Sequence, residues 1–584
     1  MPCQATSFVG VHRNDWTRRN WDEEVTFAPA DYWEPAHSSE TAIDGLSSVV
    51  RAVIEASNAG QSIHAIGSGW AFEDLAASNG AMISLRQLDR QLDYVVGKGS
   101  NALTPDWRTR QDDDKSPTVL VHVEAGIRIA TLNELLAKQG LAMPTLGGSN
   151  GQTLAGALST STHGGDWDQT PFPDLVRAIH MVGDDGKEQW IEPADERRRI
   201  TVSDAELRKA LPCSETEIVH DDRVFDAAVV SCGRFGVIYS LVLEVRRAFR
   251  VVEAVNTPGR AEILEALRTG ISQRTLFAPL YGLLNPLPVP AGLPDAKGTP
   301  YFMQILFNSQ NPDNVWVHRR WETSEPDNIP DDHNVVQGQA DLDGLTALAI
   351  IPVVDVALDT AATAATLIPG LGLAVAAYIT LDVKTEYHAE LVGKTRLGDV
   401  VAAALRALWK VPLAGHAVPQ LNGTVIGSRF KDAIANGRRG PHYLLTSGTR
   451  EDSDNDSFKS ASIEVVFDAT RSGYIDFLDE ILPQGPRFRQ AGYVSLRPSR
   501  ASRAWLSMHG VDGTHTMSIE VASLAGLPDN DVWMSYIQRR AIAYGGRPHW
   551  GQYNKLTALG SLALGGVKIR SSSQFQAASP SRLA

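Results

Sequence analysis

The chain has 584 residues, too many for one ordinary core, so two or three domains are expected. Lysine and arginine number 54 against 68 aspartates and glutamates, a formal charge of −14, which argues against the basic face that nucleic-acid binding needs. A content of 43% hydrophobic and 21% charged residues is globular, and Cys3, Cys213 and Cys232 supply neither a disulfide framework nor a zinc-type C-x-x-C pair. The first thirty residues hold Arg13, Arg18, Arg19, Asp22, Glu23 and Glu24 and no apolar run of signal-peptide length. The expectation is a cytoplasmic, multidomain protein of enzyme size.

In chain order, residues 41–58 predict a helix with Ile43, Leu46, Val50, Val53 and Ile54 on one face, stopped at Gly60. A short strand follows in QSIHAIGSGWAF and runs into a turn at Gly67 and Gly69. Residues 99–117 read as a solvated loop, 118–125 as a valine-rich strand and 131–139 as a helix. The stretch 141–165 is dense in Gly, Ser and Thr, and apolar segments at 175–183 and 229–245 close the region. Helices and strands alternating to about residue 248 indicate one α/β unit.

Past residue 250 prolines crowd 279–300, and strands are expected at 301–307, 462–467, 493–497 and 516–522, with an Ala-rich helical part over 341–410 between them. Residues 448–457 read as a second loop. The whole is read as an α+β protein with boundaries at 1–250, 251–530, 531–570 and a disordered tail, 571–584.

Several motifs are absent. Phe72 stands where a G-x-G-x-x-G fingerprint starting at Gly67 needs its third glycine, and no Walker A sequence occurs. Gly147-x-Ser149-x-Gly151 has the letters of a serine-hydrolase elbow, but Pro144 and Thr145 occupy the place of the strand that the elbow needs. Residues 360–381 carry no charge and are long enough to cross a bilayer, yet Pro369-Gly370-Leu371-Gly372 interrupts them, so two short buried helices are expected and membrane contact is at most peripheral. Two Gly-rich stretches, each after an apolar segment, can present backbone N–H groups to a diphosphate without side-chain obstruction.

Four motifs in order resemble one family. WDEEVTFAPADYWEP with IHAIGSGWAFED, then 118–165, then VFDAAVVSCGRFGVIYSLVLEV, then GGRPHWGQYNK resemble the PCMH-type FAD-binding oxidoreductases of the vanillyl-alcohol oxidase family, nearest its sugar-lactone, alditol and flavin cholesterol oxidase branch. The resemblance implies a two-subdomain FAD-binding domain over 1–250, a substrate-binding cap with a large antiparallel sheet over 251–530, and a C-terminal segment, 531–570, returning to the flavin. It implies FAD contacts from Ile66, Gly67, Ser68, Gly69, Trp70, Gly147, Gly148, Ser149, Gln152, Thr153, Gly156, Ser159, Thr162, His163, Gly233, Gly236, Val237 and Ile238.

The departures shape the chemistry. Trp70 stands where covalent members carry the flavin-linking histidine, and Met143 where doubly linked members carry a cysteine, so FAD is expected to be non-covalent. The branch's Glu-x-Arg reads Ser495-Leu496-Arg497, which keeps the cation and loses the carboxylate, and its H-W-x-K lysine is Gln552. Arg497 would stabilise negative charge on the reduced flavin or hold a substrate oxygen. Candidate bases are His549, Glu464 and His163, with Glu464 facing either the cavity or solvent. The implied activity is removal of a hydride from an alcohol- or lactol-type carbon, with molecular oxygen as acceptor because Ala155, Gly156 and Ala157 leave little bulk by the ring. The apolar run 345–381 suggests a hydrophobic small-molecule substrate. Oxidative cyclisation or desaturation of a natural product is the alternative within the family, and hydrolysis through Ser149 the alternative outside it.

Overall fold

Alternating side chains along the strands sort this chain into faces, and the faces decide where the cavity lies. The structure is a computed structural model that describes residues 8–21, 25–40, 44–284, 299–323, 397–411, 419, 438–447 and 460–556. The expected structures over 448–457, over most of 341–410 and in the tail lie outside the described residues, as does the apolar run 345–381.

The N-terminal half holds two sheets and a ribbon. The strands β1 (Gly10–Arg13), β2 (Arg18–Arg19), β3 (Thr26–Phe27), β4 (Asp31–Pro35), β5 (Ile63–Ile66) and β6 (Ala81–Ser84) form a four-stranded sheet in the order β1-β4-β6-β5, with β2 and β3 as the ribbon. The strands β7 (Gln91–Leu92), β8 (Thr118–Glu124), β9 (Leu141–Ala142), β10 (Val176–Val182), β11 (Glu188–Glu192), β12 (Glu217–His220) and β13 (Val237–Arg247) form the second, in the order β12-β11-β10-β13-β8-β7 with β9 beside β13. The helix Gly45–Asn58 packs Leu46, Val49, Val50 and Val53 into the core shared by both sheets, and the chain leaves it through Gly60 at φ +69°.

Residues 99–117 are not simply a loop. A helix, Pro105–Asp112, forms within them, with proline in its first turn, Asp106 near its N-terminus and Arg110 in its last turn. Trp107 is its one buried side chain, so no apolar period marked it in the sequence.

The C-terminal half is built on eight strands, β14 (Arg250–Asn256), β15 (Phe302–Asn308), β16 (Val315–Thr323), β17 (Arg438–Pro441), β18 (Ser460–Asp468), β19 (Gly492–Arg500), β20 (His515–Leu524) and β21 (Arg547–Pro548). They pair antiparallel throughout, in the order β17-β14-β16-β15-β19-β20-β18-β21. One face carries Met303, Ile305, Val465, Leu496, Ile519 and Val521 into a core with the helices Arg260–Ser272, Gly473–Ile481 and Asn530–Ala543. The residues between them in sequence, Gln304, Glu464, Arg497 and Glu520, point the other way and line a cavity. Among the described residues no helix is long and apolar enough to cross a membrane.

Candidate active site

A cavity of about 590 Å³ is lined from both halves of the chain. Its N-terminal wall starts at the turn after β5. Gly69 there has φ +74°, and the turn is held by Arg18 Nη2 donating to the Ser68 carbonyl at 2.9 Å and Trp21 N–H donating to the Gly69 carbonyl at 2.6 Å. A Cβ on Gly67 would come within 2.4 Å of Thr153 Oγ1, so only glycine lets this turn lie against the 147–153 segment. Trp70 stacks on Trp21 with ring centroids 4.7 Å apart and covers Gly151, where a Cβ would meet Trp70 Cζ2 at 2.5 Å.

Seventeen of the eighteen residues expected around a cofactor lie on this one cavity. Val237 does not. As the first residue of β13 it points into the core and is 2% exposed, while Gly236 and Ile238 on either side reach the cavity. Met143 is likewise a core residue, 1% exposed. No strand runs into Ser149, because β9 ends at Ala142, so the hydrolase elbow is absent. The lining offers backbone amides at Gly67, Gly69 and Gly148 and the hydroxyls of Ser68, Thr153 and Thr162, and Arg497 is its one cation among the described residues. Gln152 Oε1 and Arg497 Nε are buried without a partner among the described residues. A dinucleotide whose diphosphate takes neutral donors, and whose ring reaches Arg497, fits that donor set.

The C-terminal wall carries the titratable groups. Glu464 faces the cavity, not solvent, with its side chain 2% exposed. Its Oε1 accepts from Arg497 Nη2 at 2.9 Å and lies 3.0 Å from His163 Nε2, and its Oε2 accepts from Gln552 Nε2 at 3.4 Å. His163 is therefore part of this cluster and not simply a packing residue beside a cofactor. Burial pushes the Glu464 carboxyl up, but the Arg497 charge and His163 outweigh it and hold the group well below the usual carboxylate range. Arg497 is half-buried in an ion pair, with its side chain 12% exposed.

His549 accepts from the Gly551 N–H at its Nδ1, at 2.8 Å, so its proton sits on Nε2. Burial lowers its pKa to about 4, which makes it a neutral N–H donor at pH 7 and a poor match for the base the sequence suggested. Gln552 is fixed by Ser462, whose Oγ donates to Gln552 Oε1 at 3.1 Å.

Sequence reasoning missed Glu520. The branch's missing carboxylate at Ser495 is supplied one strand across the sheet, since Ser495 pairs with Glu520 in the β19–β20 register and Glu520 Oε2 lies 3.5 Å from Arg497 Nη2. A signal was present, because Ser-Ile-Glu-Val occurs twice, at 462–465 and 518–521. Those tetrapeptides sit on neighbouring strands with Glu464 opposite Glu520.

Residues 45–192 match the FAD binding domain family. Together with the architecture this defines the class: the chain carries a PCMH-type FAD-binding domain, and FAD is its cofactor. Cholesterol oxidase from Brevibacterium sterolicum shares the fold at a TM-score of 0.56 and 13% identity, covering 94% of this chain and 88% of that one. In sequence, the chain is 27% identical over 255 residues to D-arabinono-1,4-lactone oxidase of Eremothecium gossypii, which is 44% of this chain and 37% of the relative. It is 30% identical over 145 residues to L-gulono-1,4-lactone dehydrogenase of Mycobacterium tuberculosis, 25% of this chain and 27% of the relative. The matches thus span less than half the length of these curated relatives.

Proposed function

We propose that the protein is an FAD-dependent oxidase of CH–OH groups that acts on a polar, hydroxyl-bearing small molecule. The carrying observation is the Arg497–Glu464–Glu520 cluster on the cavity wall, beside Gln304, Ser460, Ser462, Ser523 and Gln552. When bound, FAD supplies the two-electron acceptor for a hydride from the substrate carbon. The chain's own groups orient a hydroxyl, hold charge and move its proton. The likeness to lactone oxidases supports the substrate class. A hydrophobic substrate was expected from residues 345–381, which lie outside the described residues. The described cap wall supports a polar one, because Gln304, Ser460, Ser462, Ser523 and Gln552 set amide and hydroxyl groups along it.

Oxygen as acceptor is supported by Ala155, Gly156 and Ala157, which put little side-chain bulk on the lining. Non-covalent FAD is supported by Trp70 and Met143, neither of which carries an imidazole or thiolate.

The test is anaerobic reduction of the purified yellow protein by D-arabinono-1,4-lactone, L-gulono-1,4-lactone, xylitol and detergent-dispersed cholesterol. Bleaching by a lactone or polyol is the expected result, followed by hydrogen peroxide release on admitting air. Bleaching by cholesterol alone would overturn the polar reading. Acid precipitation is expected to leave the flavin in the supernatant, and a yellow pellet would mean a covalent link.

A further inference from the structure

We propose that Glu520 is the base that takes the substrate's hydroxyl proton, an inference that rests on the CH–OH oxidase reading above. Glu464 and Glu520 are directly opposite residues of the antiparallel pair β18 and β20, so both carboxyl groups rise from the same face at the separation of a cross-strand pair. Two like charges there repel, and a shared cation relieves only part of that. Arg497, reaching in from β19, is the cation, and it is not shared evenly. Its Nη2 is 2.9 Å from Glu464 and 3.5 Å from Glu520.

The two carboxylates therefore differ in what they are free to do. Glu464 is held by Arg497, His163 and Gln552, and its side chain is 2% exposed. The Arg497 charge holds Glu464 ionised and well below the usual carboxylate range, which makes it a weak base. Glu520 has the longer contact to Arg497, a hydrogen bond with the Ser462 hydroxyl and the more open side chain, 15% exposed, and it lines the cavity.

The groups facing Glu520 are Arg497 and Tyr493 from β19, Glu464 from β18, His163 from the segment after the helix Leu154–Ser159, and His549 after β21. Their sum makes Glu520 the proton-accepting member. Burial raises its carboxyl, and the Glu464 charge raises it further against the opposing pull of Arg497. Two carboxyls whose environments push them apart divide the roles of charge holder and proton carrier. His549 is excluded from the second role by its Nδ1 acceptor bond, and Gln552 by its chemistry.

The substrate O–H bond breaks and its proton passes to the Glu520 carboxylate. The adjacent C–H bond breaks, and its hydride, with the electron pair, leaves to bound FAD. The carbinol carbon is oxidised to a carbonyl carbon and the cofactor is reduced. Arg497 holds the oxygen as its charge grows.

Two measurements on the holoenzyme decide the matter. Infrared difference spectra between acid and alkaline pH report protonated carboxyl groups without any substrate. A carboxylic-acid carbonyl band that titrates above the ordinary glutamate range, present in wild type and absent in Glu520→Gln, is expected. The same band in both proteins, or no such band in wild type, overturns the proposal whatever the substrate proves to be.

The second measurement is the rate of anaerobic flavin reduction by the most effective compound of the lactone and polyol panel. In wild type it rises with pH through the titration of Glu520. In Glu520→Gln it falls a hundredfold or more at unchanged flavin absorbance and loses that pH limb, while Glu520→Asp keeps the limb at a reduced rate. An unshifted pH profile in Glu520→Gln overturns the proposal. Failure of every compound to reduce wild type overturns the CH–OH reading instead, and the infrared band still decides Glu520.

Discussion

Glu464 is a residue whose worth depends on Arg497. The carboxyl is buried beside Arg497, Gln552 and the His163 ring, so its stabilising contribution is full above the unfolded glutamate value of 4.5 and is lost only as pH falls through its much lower folded value. Removing Arg497 takes away both the charge that could stabilise an oxyanion and the main counter-ion of a buried carboxylate. Arg497→Ala is therefore expected to slow flavin reduction by roughly a hundredfold or more. Stranding the buried charge should cost about 3–5 kcal/mol of stability. Stopped-flow reduction and a denaturant melt check the two parts separately. Unchanged reduction with lowered stability would reduce Arg497 to a purely structural ion pair.

At the scale of elements, the helix Gly473–Ile481 is clasped to the helix Asn530–Ala543 through Glu480. That carboxylate accepts from Tyr536 at 2.7 Å, Tyr544 at 2.8 Å and Arg540 Nη2 at 2.6 Å. The Arg540 hydrogen bond is the largest cause holding its carboxyl at about 2. The clasp's stability is therefore present above the ordinary value of 4.5 and lost between there and pH 2. Glu480→Gln is expected to flatten the acid side of the melting-temperature profile and leave the neutral side lower. Parallel profiles for the two proteins would rule out the clasp as a source of acid sensitivity.

Elements were legible where a period ran long enough. The helix at 45–58 and strands β8, β18, β19 and β20 all follow from alternation or a 3.6-residue period. The helix Pro105–Asp112 was not, because only Trp107 is buried and one apolar residue makes no period. The glycine turns were legible through family resemblance, down to the alternation error at Val237. Of the site's two carboxylates Glu464 was legible and Glu520 was not, since Glu520 becomes a neighbour of Arg497 only through the register of two strands. A one-residue slip of that register would turn Glu520 to the core.

For the whole molecule, the cavity joins parts of the chain that are far apart in sequence. The first glycine turn is hydrogen-bonded to the C-terminal segment, Phe72 N–H donating to the Gly551 carbonyl at 3.2 Å. His549 N–H donates to the Glu464 carbonyl at 2.9 Å, and Trp550 packs on the core of the N-terminal half. FAD in such a seam binds only the assembled protein. At a free concentration of one hundred times its dissociation constant it should add about 2.7 kcal/mol to the stability of the apoprotein. Calorimetric melts of apoprotein with rising FAD test this, and a melting temperature indifferent to FAD would contradict a seam-spanning site.

The contact between Phe72 and Gly551 also fixes an order of events during synthesis. The ribosome releases the Gly67–Gly69 turn early, but the last wall of the cavity, His549 to Gln552, emerges almost five hundred residues later. At about 5–20 residues per second, tens of seconds pass in which the cofactor's first half-site exists without its second. Flavin capture that uses both walls is thereby a late event, completed only after the C-terminal segment has docked.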